Sequence, residues 1–477
     1  MLLAGPDLNN SLVGVLLRFR KEKVAILADI QHMFHCFLVH EDHCNFLRLL
    51  WHKDNDVNKE IIEYRMKVHV FGNRPSPAVA IYGLWRAIRE GAQEHGANTV
   101  EFVDRHFYVD DGLLSVPSEA EAIDLLQRTQ ASLAESNLRL HKFASNSQTV
   151  MEAFLPEDCA PVIKDLDLSG ETSPTQRSLG LLWEITTDTF TYSASTITKP
   201  FTRRGVLSTV NSVFDPLGLL APVMIQGRDL LRELTSEQPD WNTPLSENKL
   251  IKWQAWKDSL QDLDQRHVPH TYTTTSLVEA VHTELCVFSD ASTKAIGAVA
   301  YLKALQKDGQ IEVGFVMGKA KLAPLSEPTI PRLELCAAVL AVEMADLIKD
   351  ELDLVLNDMK FFTDSKVVLG YIYNESKQFY VYVHNRVQRI HQSSKPEQWH
   401  YVRTEENPAD HASRSLPALC LAKSSWFSGP SFLRQPPPKR TQTTEMFELI
   451  EPENDSEIRP QVQTCVTNLK ESEFTSN

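Results

Sequence analysis

Apolar and polar positions along the chain fall into two strand-rich regions with a less regular one between them. Residues 24–30 (VAILADI) are a short, nearly continuous apolar run and read as a buried strand. Residues 77–93 follow a Pro/Ser-rich loop with a helical pattern; 106–109 and 113–116 read as two short strands, and 118–136 as a helix. From 190 to 280 the pattern weakens, with Trp241, Trp253 and Trp256 in a helical, partly polar context. Near 284 strands restart (LCVFSDAS, AIGAVAYL, VGFVMGKA), followed by a helix from about 331, a strand at 359–363 and more helices. Beyond about 428 the chain turns Pro-rich (QPPPKR), then acidic and polar, a composition that predicts disorder. No internal repeat is evident.

A chain of 477 residues exceeds one core, so about two to four domains are expected. With 42% hydrophobic and 23% charged residues the composition is that of a soluble globular protein. No apolar run reaches the length of a membrane span, and the N-terminus lacks the pattern of a signal peptide. The 7 cysteines are scattered without CxxC pairs and read as reduced thiols of an intracellular protein, cytoplasmic (in virus-like particles or free) or nuclear. The net charge of −15 speaks against a phosphate-binding protein, but 441–477 alone carry eight acids and two bases. Basic segments such as LRFRKEK (17–23) and KPFTRR (199–204) remain as candidate tracks for a phosphate backbone.

Within FYVDDGLLS, Asp110 and Asp111 lie between two apolar strands. A turn built on Asp-Gly accounts for one of them structurally. A third carboxylate, Asp29, ends VAILAD; if the segments are neighbours in one sheet, Asp29 and Asp110 point at the same place. Clustered carboxylates repel unless cations sit between them, and Mg²⁺ prefers oxygen ligands. A second set lies downstream. Asp290 ends the strand of FSDAS, Glu334 sits on the amphipathic helix RLELCAAVLAV, Asp364 follows FFT into a helix, and Asp410 begins a helix in NPADHASR. Each has a structural reading: Asp364 as an N-cap, Asp410 as a charge on a helix dipole. Four carboxylates on strand, helix, strand and helix, in the order Asp, Glu, Asp, Asp, are hard to obtain by chance.

YVDD after a strand, with D-x-x-x-x-F upstream, resembles the palm of a reverse transcriptase, most nearly that of BEL/Pao retrotransposon Pol polyproteins. The matching segments are GPDL…LLRFR (5–20), ADIQHMF…FLRLLW (28–51), VHVFGNRPSP (68–77), YVDD (108–111), LGLLW (179–183) and VFDPLGLLAPV (213–223). The downstream carboxylates, with TDS and NPAD-x-x-SR, resemble a retroelement ribonuclease H. The resemblance implies an α+β palm, an antiparallel sheet with helices, at 1–155; an irregular α-rich thumb or connection at 156–282; an α/β ribonuclease H-like domain at 283–418; and a Pro-rich acidic disordered linker at 419–477. It implies RNA-directed DNA polymerase and ribonuclease H activities, with RNA template, DNA primer, RNA–DNA hybrid and deoxynucleoside triphosphates as partners. Two Mg²⁺ per site, with Mn²⁺ as a substitute, would be held by Asp29, Asp110 and Asp111 in the palm and by Asp290, Glu334, Asp364 and Asp410 in the second domain. Phe34 would exclude a ribose 2′-hydroxyl, Phe71, Gly72 and Tyr108 would line the nucleotide and template, and Lys142 would lie near pyrophosphate.

The chain starts only 28 residues before Asp29, where such enzymes have longer fingers, so a palm with truncated fingers is expected. Ribonuclease H activity alone, or a non-catalytic Pol remnant that binds nucleic acid, are the competing readings. Loop 403–409 lacks the histidine many ribonucleases H carry, and His411 is not an obvious substitute. The stretch around 195–350 is labelled an aspartic peptidase in such families, but the D-T/S-G triplet is absent and DLSG (167–170) has the wrong spacing. HMFHCFLVHEDHC (32–44) does not have zinc-finger spacing, and the alternation in FHCFLVH (34–40) within it predicts a strand.

Overall fold

VAILADI forms strand β1 (Val24–Ile30), and apart from Asp29 it is apolar because its residues enter cores on both faces of the sheet. The computed structural model describes residues 3–160, 175–178, 181–191, 199–237, 240–265, 267–325, 329–436 and 447–460. A two-stranded ribbon, β2 (Arg48–His52) and β3 (Ile61–Arg65), stands apart from that sheet and is largely exposed. The sheet itself continues with β4 (Phe107–Tyr108), β5 (Asp111–Val116) and β6 (Leu140–Ser145), in the order β4-β5-β1-β6 with every pair antiparallel.

Alternate residues of β1 serve two different cores, as a period of two requires. Ile26, Ala28 and Ile30 share one with Leu114, Ala80, Leu84 and Leu126. Ala25 and Leu27 share the other with Leu113, Ala144 and Val15, Leu16 and Phe19 of helix α1 (Leu12–Phe19). Helices α2 (Ser76–Glu90), α3 (Ala97–His106) and α4 (Glu119–Glu135) complete this region, α4 starting at Ser118, whose hydroxyl accepts the Glu121 amide.

The middle of the chain contributes a small sheet, β7 (Thr175–Ser178), β8 (Leu181–Glu184), β9 (Thr189–Thr191) and β10 (Val268–Pro269), in the order β10-β9-β8-β7. Helices α5 (Arg203–Val210), α6 (Ala221–Glu237) and α7 (Glu247–Ser259) follow. Trp253 and Trp256 are core residues, the indole of Trp256 donating to the Val223 carbonyl at 3.1 Å. Trp241 is 41% exposed under the Arg203 guanidinium.

The second large sheet has the order β13-β12-β11-β14-β15, from β11 (His282–Ala291), β12 (Ala295–Leu305), β13 (Ile311–Leu322), β14 (Asp358–Thr363) and β15 (Trp399–Tyr401). The first three form an antiparallel meander; β14 and β15 run parallel to β11. Parallel pairing needs a crossover, supplied by α8 (Ile330–Glu351), which packs on β11 and β12. Helices α9 (Lys366–Tyr373), α10 (Val381–Ser393) and the short α11 (Asp410–Arg414) complete the domain.

Three expectations from sequence are corrected. LRFRKEK is not a free basic track. Arg18 and Arg20 are each 1% exposed. Arg18 donates to the Arg105 carbonyl in the first region and pairs with Glu351 at the end of α8 at 2.8 Å, while Arg20 donates to the carbonyls of Pro269, His270 and Val316. Buried charge is tolerated only when paired, so these cations join the two halves.

Residues 32–46 form no strand. Left-handed backbone at His32 (φ 53°) breaks the extended chain, 3-10 turns occupy Met33–Cys36 and Glu41–Phe46, and a single Leu38–Val68 bridge remains. The stretch expected as an unstructured linker is partly packed. Trp426 is fully buried, and residues 447–460 fold back on the second domain through the Phe379–Ile458 bridge, the Arg332–Glu457 pair at 2.5 Å and the Tyr371–Asp455 hydrogen bond at 2.7 Å. Its acids find specific cation and hydroxyl partners, which composition cannot show. DLSG and residues beyond 460 lie outside the described residues. Among the described residues no helix is long and apolar enough to cross a membrane.

Candidate functional site

The register of the second sheet builds the site. Ser289 on β11 is the parallel partner of Thr363 on β14, so the residues that follow, Asp290 and Asp364, emerge side by side at the ends of adjacent strands. Asp364 is not the N-cap of α9. Ser365 takes that role, its hydroxyl accepting the Val368 amide, which leaves the Asp364 carboxylate for other work. Glu334 lies near the start of α8, 8% exposed. Oxygens of Asp290, Glu334 and Asp364 lie within 4.8 Å of one another.

Three carboxylates this close cannot all ionise cheaply. Burial, then repulsion from Asp364 and Asp410, raises Asp290 to about 7, although a hydrogen bond from Ser413 opposes the rise. Burial, then Asp290 and Asp364, raises Glu334 to about 9. Glu334 Oε2 and Asp364 Oδ1 are buried and have no hydrogen-bond partner. The other Asp364 oxygen accepts from Thr404 Oγ1 at 2.7 Å. An oxygen-only, mutually repelling set, with Asp290 and Glu334 buried, Asp364 half-buried and two acceptors orphaned, fits a hard divalent cation. Asp410, the first residue of α11, is not in the trio; its carboxylate pairs with Arg414, and its charge acts on Asp290.

Gly297, the register partner of Asp290, lets α11 sit close. A Cβ there would meet Ala412 Cβ at 2.8 Å and the Ala409 carbonyl at 2.9 Å. Asn407 donates to the Ser289 carbonyl at 2.9 Å and ties the preceding loop to the strand that carries Asp290. His411 turns away, its Nε2 lying 3.0 Å from Ser425 Oγ, so it does not replace a histidine missing from loop 403–409.

The first sheet gathers the other set differently. Tyr108 pairs with Asp111, leaving Val109 and Asp110 as the two residues of a tight turn. Val109 has φ 59°, an uncommon state for a β-branched side chain that costs about 1–3 kcal/mol and is typical of functional turns. Asp111 is the cross-strand partner of Asp29. Burial, then Asp110 and Asp29, raises Asp111 to about 6, and Asp110 is raised chiefly by burial.

Asp29, however, is already engaged: His141 Nε2 lies 2.9 Å from Oδ1 and Lys142 Nζ 3.0 Å from Oδ2. A bulge in β6, with Lys142 at φ 52°, turns two consecutive side chains onto one carboxylate, where a regular strand would send them to opposite faces. Asp29, Asp110 and Asp111 are not among the described groups whose oxygens converge within 4.8 Å. Phe34 is buried on the turn after Asp29 with its ring 4.6 Å from that of the exposed Phe71; Gly72 has φ 78°, and Tyr108 is half-buried on β4.

Sequence reasoning missed Ser413, Thr404, Asn407 and His141. Ser413 and Asn407 stood inside the NPAD-x-x-SR motif; Thr404 and His141 carried no signal. The His/Cys segment 32–44 contributes to no metal-ligating group among the described residues. The exposed group Glu94, His95 and Glu135 has no buried member.

Residues 202–365 match the family model of the Pao retrotransposon-like RNaseH-like domain. That span includes Asp290, Glu334 and Asp364 and stops before Asp410. No curated protein matches the chain. The fold is similar to that of the foamy viral protease-reverse transcriptase dRH in complex with ds DNA, with TM-score 0.52 and 12% identity over 85% of this chain and 61% of that one. It is also similar to the foamy viral protease-reverse transcriptase in complex with RNA/DNA hybrid, with TM-score 0.50 and 13% identity over 83% and 46%. The chain therefore spans less than two thirds of either relative's length. Residues 202–365 thus carry the similarity to a Pao retrotransposon-like RNaseH-like domain, and the fold of the chain is similar to those of the two foamy viral structures.

Proposed function

We propose that the second half of the chain is a divalent-cation-dependent ribonuclease H that cuts the RNA strand of an RNA–DNA hybrid, and that the first half is a reverse-transcriptase palm. The observation that carries the proposal is the Asp290–Glu334–Asp364 cluster, its first two residues buried and the third half-buried, mutually repelling and with two unpartnered oxygens. The two foamy viral structures hold double-stranded DNA and an RNA/DNA hybrid, which supports a nucleic-acid substrate.

Asp290, Glu334 and Asp364, with Asp410 at the rim, would hold Mg²⁺ or Mn²⁺. When bound, such ions supply a more acidic attacking water and charge stabilisation at the leaving oxygen. The protein's part is to hold the carboxylates unsolvated and close together, on strand ends and a helix fixed by one core. Domains at 1–155, 156–282 and 283–418 suit this division of labour, with 419–435 and 447–460 added to the last.

A second reading, ribonuclease H activity without polymerase, is favoured by one observation. His141 and Lys142 occupy both oxygens of Asp29, so the palm carboxylates are not free to take a cation together. Under the first reading Phe34, Phe71, Gly72 and Tyr108 would contact nucleotide and template, and Lys142 would leave Asp29 for a phosphate of the incoming deoxynucleotide. Primer extension with Mg²⁺ on an RNA template separates the two: extension lost in Asp110→Asn supports polymerase, and RNA cleavage without extension supports ribonuclease H alone.

A further inference from the structure

We propose that Ser413 is a positioning residue for the Asp290 carboxylate and that, through it, this hydroxyl sets the affinity of the cluster for its divalent cation. The inference rests on the ribonuclease H reading and extends it to a residue outside the carboxylate set.

Ser413 is 1% exposed, and its Oγ donates to Asp290 Oδ2. A buried serine on a helix usually satisfies itself locally by bonding a carbonyl three or four residues back. Here that local acceptor, the Asp410 carbonyl, lies at 3.2 Å, while the carboxylate of another element lies closer. A hydroxyl has one proton to donate. An ionised carboxylate is the stronger acceptor of the two, so the proton goes to Asp290.

The serine is itself held. Ser292 Oγ donates to the Ser413 carbonyl at 2.7 Å, Asn407 ties the preceding loop to Ser289, and Gly297 lets α11 lie flat on β12. Asp410 and Ser413 are three residues apart on one helix and share a face. One short helix thus delivers the rim carboxylate and the hydroxyl that fixes the rotation of Asp290.

A hydrogen bond of this kind behind a metal-ligating carboxylate changes cation affinity or activity by about 10–100-fold when removed. A purely packing role would make a different prediction. It would respond to side-chain volume rather than to the hydroxyl.

The test is isothermal titration calorimetry of Mg²⁺ and Mn²⁺ into the full chain without nucleic acid, for wild type, Ser413→Ala, Ser413→Cys and Ser413→Thr. Cysteine keeps the volume but donates weakly, and threonine keeps the hydroxyl. The expected result is cation affinity weakened about 10-fold or more in the Ala and Cys variants and restored toward wild type in Thr. KM for a hybrid should stay unchanged in all three, because the buried hydroxyl does not face substrate. Wild-type affinity in Ser413→Ala, or a loss in Thr as large as in Ala, overturns the inference. Absence of cation binding by wild type overturns the ribonuclease H reading itself, and this inference with it. Melting curves with a chelator identify any variant that has lost its fold. Should Ala do so, the comparison of Cys with Thr decides.

Discussion

Asp290→Asn should stabilise the cation-free protein at alkaline pH, and the size of the effect follows from the site. The folded-state value of Asp290 is about 7 against about 3.9 for an unfolded aspartate. A folded value above the unfolded one means that the native state holds its proton more tightly. Stability is therefore unaffected below about pH 4, falls as pH rises toward 7, and stays low beyond. At 1.36 kcal/mol per unit, the three-unit gap sets an upper bound of roughly 4 kcal/mol on that cost at pH 8. Asparagine removes the charge and still accepts from Ser413. A gain of half the bound, roughly 2 kcal/mol, corresponds to a rise in Tm of about 4–8 °C for a domain of 150–250 residues. The assay is differential scanning fluorimetry of both proteins with a chelator at pH 4.5 and pH 8. The variant should melt higher at pH 8, with the gap closing at pH 4.5. Adding Mg²⁺ at pH 8 should raise wild type more than the variant. A gap that does not change with pH, or a variant that melts lower at pH 8, would refute the electrostatic account of the cluster.

Other outcomes follow from particular contacts. Gly297→Val should lift α11 from β12 and lower hybrid cleavage by about 10²-fold, with the melting temperature of the rest of the chain nearly retained, as cleavage rates and thermal scans will show. Arg18→Met should leave Glu351 without its partner and cost about 3–5 kcal/mol in urea unfolding; little change would mean that α1 does not join the two halves. Trp256→Ala should cost about 3–5 kcal/mol, seen in the same titration, through the cavity left beside α6. Replacing Lys142 with Ala should free one oxygen of Asp29 and, if the palm accepts a cation, raise Mn²⁺ binding measured in the Asp364→Asn background.

Much of this architecture was legible because burial writes itself into long apolar runs. VAILADI and LCVFSDAS open as unbroken apolar runs since both strands are covered on two sides, and the carboxylates toward their ends stand out against that background. The order Asp, Glu, Asp, Asp on strand, helix, strand and helix could be read without knowing the register. Non-local decisions were invisible. Whether Asp29 is free depends on a bulge in β6 that alternation cannot reveal. Whether Arg18 and Arg20 face solvent depends on α8 and β13, more than 290 residues away in the chain. The acidic stretch 447–460 reads as disordered from composition, yet Arg332 and Tyr371 give its acids specific partners. Ser413 was part of a recognised motif, but only the fold shows which carboxylate it meets.

The most direct test of the central claim is cleavage of the RNA strand of an RNA–DNA hybrid by wild type and Asp364→Asn, in Mg²⁺ and in chelator. The account predicts cleavage by wild type that needs the cation, and its loss in a variant that remains folded. Cleavage that survives Asp364→Asn, or that proceeds in chelator, would contradict it.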